Sequence, residues 1–232
     1  MTTALAQEDT AVDLGASLTA VRRVLPSAGY GVTATDLIDR GAARWVRAHG
    51  VSVFAQNEDD LEVLARNSIR PVQVVLRCGS TPETIRRAVN AGVSRFVVCT
   101  AAESALLAEF AHRTKYIYLG GGAPVPVPHR RLQVIGLHCE VDDSSGRIEW
   151  ADATERMLCR LAYLRSCALR PVRLTLTGRP TPQGRCASAE ETSLIASAVR
   201  DALDEGCHRW RLNRPKVLLG PGRLAGMDTV AA

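Results

Sequence analysis

The residues able to do chemistry in this chain gather in a few short stretches. His138-Cys139-Glu140 is followed closely by Asp142 and Asp143. Oxygen ligands at that density can hold Mg²⁺ or Ca²⁺. Glu140, Asp142 and Asp143 are therefore candidate metal ligands, against the plain alternative of a solvated acidic turn. On an extended segment His138 and Glu140 share one face and Cys139 takes the other, so His138 and Cys139 form no dyad. Whether the shared face is an interior stays open at this point; a packed, hydrogen-bonded His138 is the expectation. Two turns combine glycine with arginine: Thr177-Gly178-Arg179-Pro180 and Gly220-Pro221-Gly222-Arg223. Glycine N–H groups beside a guanidinium suit a phosphate. Gly178, Arg179, Gly222 and Arg223 are the candidate phosphate ligands, with solvated tight turns as the alternative. The chain holds two lysines, Lys115 and Lys216.

The elements that must position these residues follow a repeat. Short apolar, β-branched runs begin near Tyr30, Val51, Val72, Arg95, Tyr116, Val134, Val172 and Val217. The first five are about 21 residues apart, room for a parallel strand and its crossover helix. Eight such runs predict a closed (β/α)8 barrel. Residues 1–11 read as a loose tail, and 12–232 as the barrel domain. A helix over Val12–Leu25 precedes the first strand. Helices follow at Asp36–His49, Glu58–Arg66 with Asn57 as N-cap, and after Ser80-Thr81-Pro82-Glu83, a capping box. Thr100 with Glu103 and Ser188 with Glu191 form two more boxes. Gly120-Gly121-Gly122-Ala123-Pro124-Val125-Pro126-Val127-Pro128 cannot be helical. The fifth and sixth strands therefore lack a covering helix. Apolar surface is expected there, and with it a homodimer or partner interface using Tyr116 or Tyr118.

Composition narrows the classes. A length of 232 residues suits one barrel and leaves no room for a second sizeable domain. The net charge of +5 is carried almost wholly by arginine. The basic run His208–Lys216 reads as a solvated loop that can touch phosphate. No RRM or helix-turn-helix pattern is present, so nucleic acid is not expected. Seven cysteines without a CxxC pair indicate reduced thiols and a cytoplasmic protein. Neither a signal peptide nor a membrane span is read in the N-terminal region.

Barrel enzymes keep their chemistry at the C-terminal strand ends. Those ends carry Thr33, Gln56, Cys78, Thr100, Glu140 with Asp142 and Asp143, and the two Gly/Arg turns. Here the residues resemble a family. Tyr30-Gly31-Val32-Thr33-Ala34-Thr35 is similar to the Tyr-Ala-Val-Lys-Ala-Asn of the fold-type III pyridoxal-phosphate decarboxylases, the ornithine, diaminopimelate and arginine group with an alanine-racemase-like barrel. Gly50–Gln56 resembles that family's second strand, and Gly136-Leu137-His138-Cys139-Glu140-Val141 its Leu-His-x-His-Val-Gly-Ser strand. Gly220-Pro221-Gly222-Arg223 resembles its Glu-Pro-Gly-Arg. The resemblance is collinear over about residues 12–225.

The resemblance implies a pyridoxal-phosphate barrel, and the departures empty its site. The Schiff-base lysine falls at Thr33, the ring-stacking histidine at Glu140, and the acid paired with the pyridine nitrogen at Gly220. Of the phosphate contacts, Gly178, Arg179, Gly222 and Arg223 remain. The family's C-terminal β-domain is not read in this chain. Lys115 and Lys216 precede their strands and fall at the far end of the barrel. The expectation is a catalytically degenerate, decarboxylase-like pseudoenzyme barrel that binds or regulates. At most it binds pyridoxal phosphate or phosphate weakly, or a small phosphorylated or amino-acid ligand. Two alternatives stand beside it. One is an enzyme of different, non-Schiff-base chemistry on the same face, metal assistance included. The other is a residual decarboxylase or racemase whose lysine comes from a partner chain.

Overall fold

Each short β-branched run needs both faces covered, and the chain meets that need by closing the runs on themselves. In the computed structural model, which describes residues 3–79, 81–142, 146–179, 185–220 and 223–224, eight parallel strands form a closed barrel. They are β1 (Gly29–Thr33), β2 (Ser52–Ala55), β3 (Val74–Arg77), β4 (Arg95–Val98), β5 (Lys115–Leu119), β6 (Leu132–Val141), β7 (Arg173–Gly178) and β9 (Lys216–Gly220). β9 pairs with both β7 and β1, which closes the ring. A two-residue antiparallel pair, β8 (Arg185–Cys186) with β10 (Arg223–Leu224), lies outside it.

Strand alternation sorts the residues into two layers. Outward residues such as Val32, Val53, Leu76, Phe96, Ile117, Leu137, Leu174 and Leu219 are buried against the helices. Inward residues Phe54, Val75, Val97 and Tyr118 fill the lumen, with Ile135 and Leu218 packed on them. The helices are α1 (Thr3–Val24), α2 (Arg40–His49), α3 (Glu58–Arg66), α4 (Pro82–Asn90), α5 (Ala101–Phe110), α6 (Arg147–Ser166) and α7 (Ala189–Trp210). Side-chain caps start several of them at the top face. Asn57 accepts from the Asp60 N–H at 2.8 Å, Thr100 from Glu103 at 3.1 Å, and Ser188 and Glu191 cap each other reciprocally.

The chain departs from the sequence reading in five places. Residues 3–11, read as a tail, are helical as part of α1; the stretch holds no glycine or proline to stop a helix. The helix expected over Asp36–His49 is split into a 3-10 turn, Ala34–Ile38, and α2, because the Asp39 carboxylate caps a fresh helix start at Gly41 and Ala42. The cap of α4 is the Thr81 hydroxyl, which accepts from the Thr84 N–H at 3.2 Å; Ser80, which opens the box in the sequence, lies outside the described residues. The basic run begins inside α7, which continues to Trp210.

The fifth departure concerns β5. No helix joins β5 to β6, as expected, but the outward residues Ile117 and Leu119 are nevertheless buried. Ala123 of the glycine- and proline-rich segment is buried in the same core cluster as these two residues. The Arg160 guanidinium pins the segment by donating to the carbonyls of Gly120, Gly121 and Ala123. Tyr116 and Tyr118 are two residues apart, so both rings point inward: Tyr118 is 1% exposed, and Tyr116 opens at the lower rim at 39%. Neither ring can serve an interface on the outside of β5.

Candidate functional site

The upper mouth of the barrel is built from inward residues at the strand ends. β1 brings Gly31 and Thr33, β2 Phe54, β3 Arg77, β6 His138 and Glu140, β7 Thr177 with Gly178, and β9 Gly220. They line a cleft whose free space is about 30 Å³, room for one or two water molecules. The Phe54 ring takes the centre. A Cβ added at Gly31 would lie 2.4 Å from that ring, and one at Gly220 3.2 Å from it. Both glycines are thus the space into which Phe54 fits.

Above the ring, Arg77 Nη1 donates to Glu140 Oε2 at 2.7 Å. β3 and β6 are separated by two strands in the ring, so this ion pair reaches across the mouth. The two side chains are 39% and 23% exposed, which places the pair at the boundary with solvent. Below it lies His138, with its ring centroid 6.2 Å from that of Phe54. His138 is packed and its face is the interior. Its Nδ1, however, has no hydrogen-bond partner among the described residues, so the expected hydrogen-bonded ring is met only in its packing. Burial, with the Arg77 charge adding to it, pushes the imidazole down to about 4. It is neutral at physiological pH.

Thr33 stands where the resemblance puts the Schiff-base lysine, at the end of β1 and facing the cleft. Its hydroxyl donates to Asp36 Oδ2 at 2.8 Å, and its N–H donates to the same oxygen at 2.8 Å. The hydroxyl also sits 2.7 Å from that of Thr35. These contacts fix the turn into the 3-10 segment. Lys115 opens β5 at the opposite end; its Nζ donates to the Val93 carbonyl at 2.7 Å and lies over the Phe96 ring. Lys216 opens β9 and is exposed at that same lower end. Five strand residues separate either amine from the upper mouth, roughly 16 Å.

Of the candidate metal ligands, Glu140 and Asp142 are each engaged by a different arginine. Glu140 is committed to Arg77, and Asp142 lies 3.6 Å from Arg179 in an exposed ion pair. Asp143 is outside the described residues. Among the described residues no three histidine, cysteine or carboxylate groups cluster for a metal. Of the candidate phosphate ligands, Gly178 lines the cleft. The Arg179 N–H is engaged by the Val141 carbonyl at 2.9 Å, leaving its side chain for an anion in exchange for Asp142. Gly222 and the Arg223 side chain lie outside the described residues. The thiols at the strand ends are not poised nucleophiles, since burial pushes Cys78, Cys99 and Cys139 up from the ordinary range.

Phe54 and Arg77 are the site residues that sequence reasoning missed. The strand-end list took Cys78 for β3, one residue too far, so it chose the outward side chain. Counting alternation back from Val75 would have selected Arg77. Nothing local announces the Arg77–Glu140 pair, whose partners are joined only by barrel closure.

Tested against pyridoxal phosphate, this mouth does not fit. A ligand of that size needs several hundred Å³ of pocket, and the lumen is filled by the chain's own phenyl ring. Among the described residues no lysine is within covalent reach.

Among solved structures the barrel superimposes on decarboxylases. Diaminopimelate decarboxylase from M. jannaschii matches with a TM-score of 0.75 and 13% identity, over 93% of this chain and 59% of that one. Lysine decarboxylase from Selenomonas ruminantium gives 0.69 and 15%, over 91% and 59%. Arginine decarboxylase from Paramecium bursaria Chlorella virus gives 0.67 and 12%, over 87% and 59%. The chain thus spans about three fifths of the length of these structural neighbours, and the likeness is one of fold. No family model matches the sequence, and no curated protein does.

Proposed function

We propose that this chain is a non-catalytic binding or regulatory barrel, built on the decarboxylase fold and degenerate at the position of its cofactor. The observation that carries the reading is the plugged mouth. Phe54 occupies the lumen against Gly31 and Gly220, the Arg77–Glu140 pair closes over it, and Thr33 offers a hydroxyl already used by Asp36. A working imine site needs the reverse of each: an open mouth, a free cation for substrate or cofactor, and an amine at the end of β1. What the upper face still offers an anion is Arg179 beside Gly178; Gly222 and Arg223 remain candidates from the sequence alone. A small phosphorylated or amino-acid ligand, or a partner protein sensing it, suits that remnant.

Calorimetric titration with pyridoxal phosphate tests the reading. Two or three charge-assisted hydrogen bonds contribute about 1.5–3 kcal/mol each before the cost of ordering the ligand. The expected dissociation constant is therefore roughly millimolar to high micromolar. A sub-micromolar constant would overturn the degenerate site.

A further inference from the structure

The lower face of the barrel, opposite the cleft, carries a groove that the reading of the upper face does not use. It lies between the end of α6 and the loop from α7 into β9. Its floor is Leu161, Leu169 and Leu212; its rim is Arg165, Arg170 and Arg214; its volume is about 190 Å³. Val172 lines it too and is 59% exposed. The Lys216 N–H donates to the Val172 carbonyl at 2.9 Å, and just across that bond the lumen rim adds Arg173 and Lys216 in register. Arg95 faces Arg173 from the other side of the rim.

The charges here are unbalanced. The carboxylates nearest the groove are already taken: Asp204 by Arg214, and Glu205 and Glu155 by Arg209. Among the described residues Arg165, Arg170, Arg173, Arg211 and Lys216 have no carboxylate within ion-pair distance. Arg165 donates instead to the Arg211 carbonyl at 3.0 Å. A basic side chain in the last turn of a helix complements the helix dipole, which accounts for Arg165. It does not account for Arg170, Arg173 or Lys216, which sit on a loop and at strand starts. Four of the five unpaired cations are arginine, whose planar fork matches a carboxylate in two parallel hydrogen bonds.

We infer that this groove docks an acidic peptide segment of a protein partner, with one apolar side chain seated on the leucine floor and its carboxylates on the arginine rim. The two halves of the groove select the occupant. A nucleic-acid backbone would use the rim and leave the apolar floor uncovered; an acidic segment with an apolar anchor uses both. The groove lies at the far end of the barrel from the cleft and shares no lining residue with it.

The probe is a fluorescein-labelled peptide of eight glutamates flanking one central leucine, followed by anisotropy with the full chain. Parallel titrations use the same peptide with serine for leucine, and a single-stranded oligonucleotide of equal charge. Binding of the leucine peptide is expected, weakened at least tenfold by serine and at least tenfold by Arg170→Glu with Arg173→Glu. Both substitutions are on exposed positions, and circular dichroism checks that the variant folds; Arg165→Glu is the second variant. No binding of the leucine peptide overturns the inference, as does unchanged affinity in the charge-reversed variants. An oligonucleotide bound more tightly than the peptide assigns the surface to nucleic acid instead. Concentration-dependent self-association in sedimentation velocity, abolished by the same substitutions, assigns it to a second copy of this chain and overturns the inference.

Discussion

At the scale of residues, the upper mouth is held by a neutral histidine, a phenyl ring and one ion pair, and each makes a prediction. His138 titrates near 4 in the folded chain because it is buried and faces Arg77, against about 6.5 when unfolded. The depressed folded value means the unfolded chain takes up the proton first on acidification. The stability that a neutral His138 brings is complete above about pH 6.5 and is lost as pH falls toward 4, by about 3 kcal/mol in all. Denaturant midpoints measured across that range should show the slope, and His138→Gln should flatten it; an unchanged slope would mean other groups cause it. Phe54→Ala should cost about 3 kcal/mol, at the low end for a phenyl group because the ring sits at a mouth. Thr33→Lys in that opened background should yield a borohydride-fixed pyridoxal-phosphate adduct at residue 33, read by peptide mass mapping. Labelling at Lys115 or Lys216 in preference would contradict the strand assignment. Which side chains reach the mouth was only partly legible beforehand. Thr33 and Glu140 could be listed at their strand ends and His138 put on one face with Glu140, whereas which face is the interior, for these as for Phe54 and Arg77, is a property of the closed ring.

At the scale of elements, helix starts were legible where the signal was local. Asn57, Thr100 and Ser188 cap where the sequence places them, because a cap is a hydrogen bond across three residues. The same local logic failed at Asp39, since the hydrophobic period runs on through the 3-10 turn and conceals a second helix start. The fifth and sixth strands were read as lacking a covering helix, and what holds the non-helical segment between them lay beyond local reach: Arg160 is 37 to 40 residues from the carbonyls it holds. Removing that guanidinium takes a donor from three carbonyls at once, of which Gly120 keeps a second partner in the Ala123 N–H at 3.0 Å. Arg160→Ala should raise amide hydrogen exchange and proteolytic cleavage across Gly120–Pro128 while β1–β4 stay protected. Equal protection in both proteins would show that the segment packs without the clamp.

At the scale of the whole molecule, the barrel was the most legible feature, because a repeat of about 21 residues leaves few alternatives to parallel strands with crossovers. The resemblance carried by four short motifs agrees with the fold of the diaminopimelate, lysine and arginine decarboxylases. Their fold is shared while the upper mouth is filled and the chain's two lysines lie at the other end. The account therefore stands on one claim: the wild-type chain forms no imine at its upper face. Incubation with pyridoxal phosphate, reduction with borohydride and mass mapping of the peptides test it directly. The account predicts no stoichiometric adduct, with at most trace labelling of the exposed Lys216; one cofactor fixed per chain at a single lysine, together with a saturable visible absorption, would contradict it.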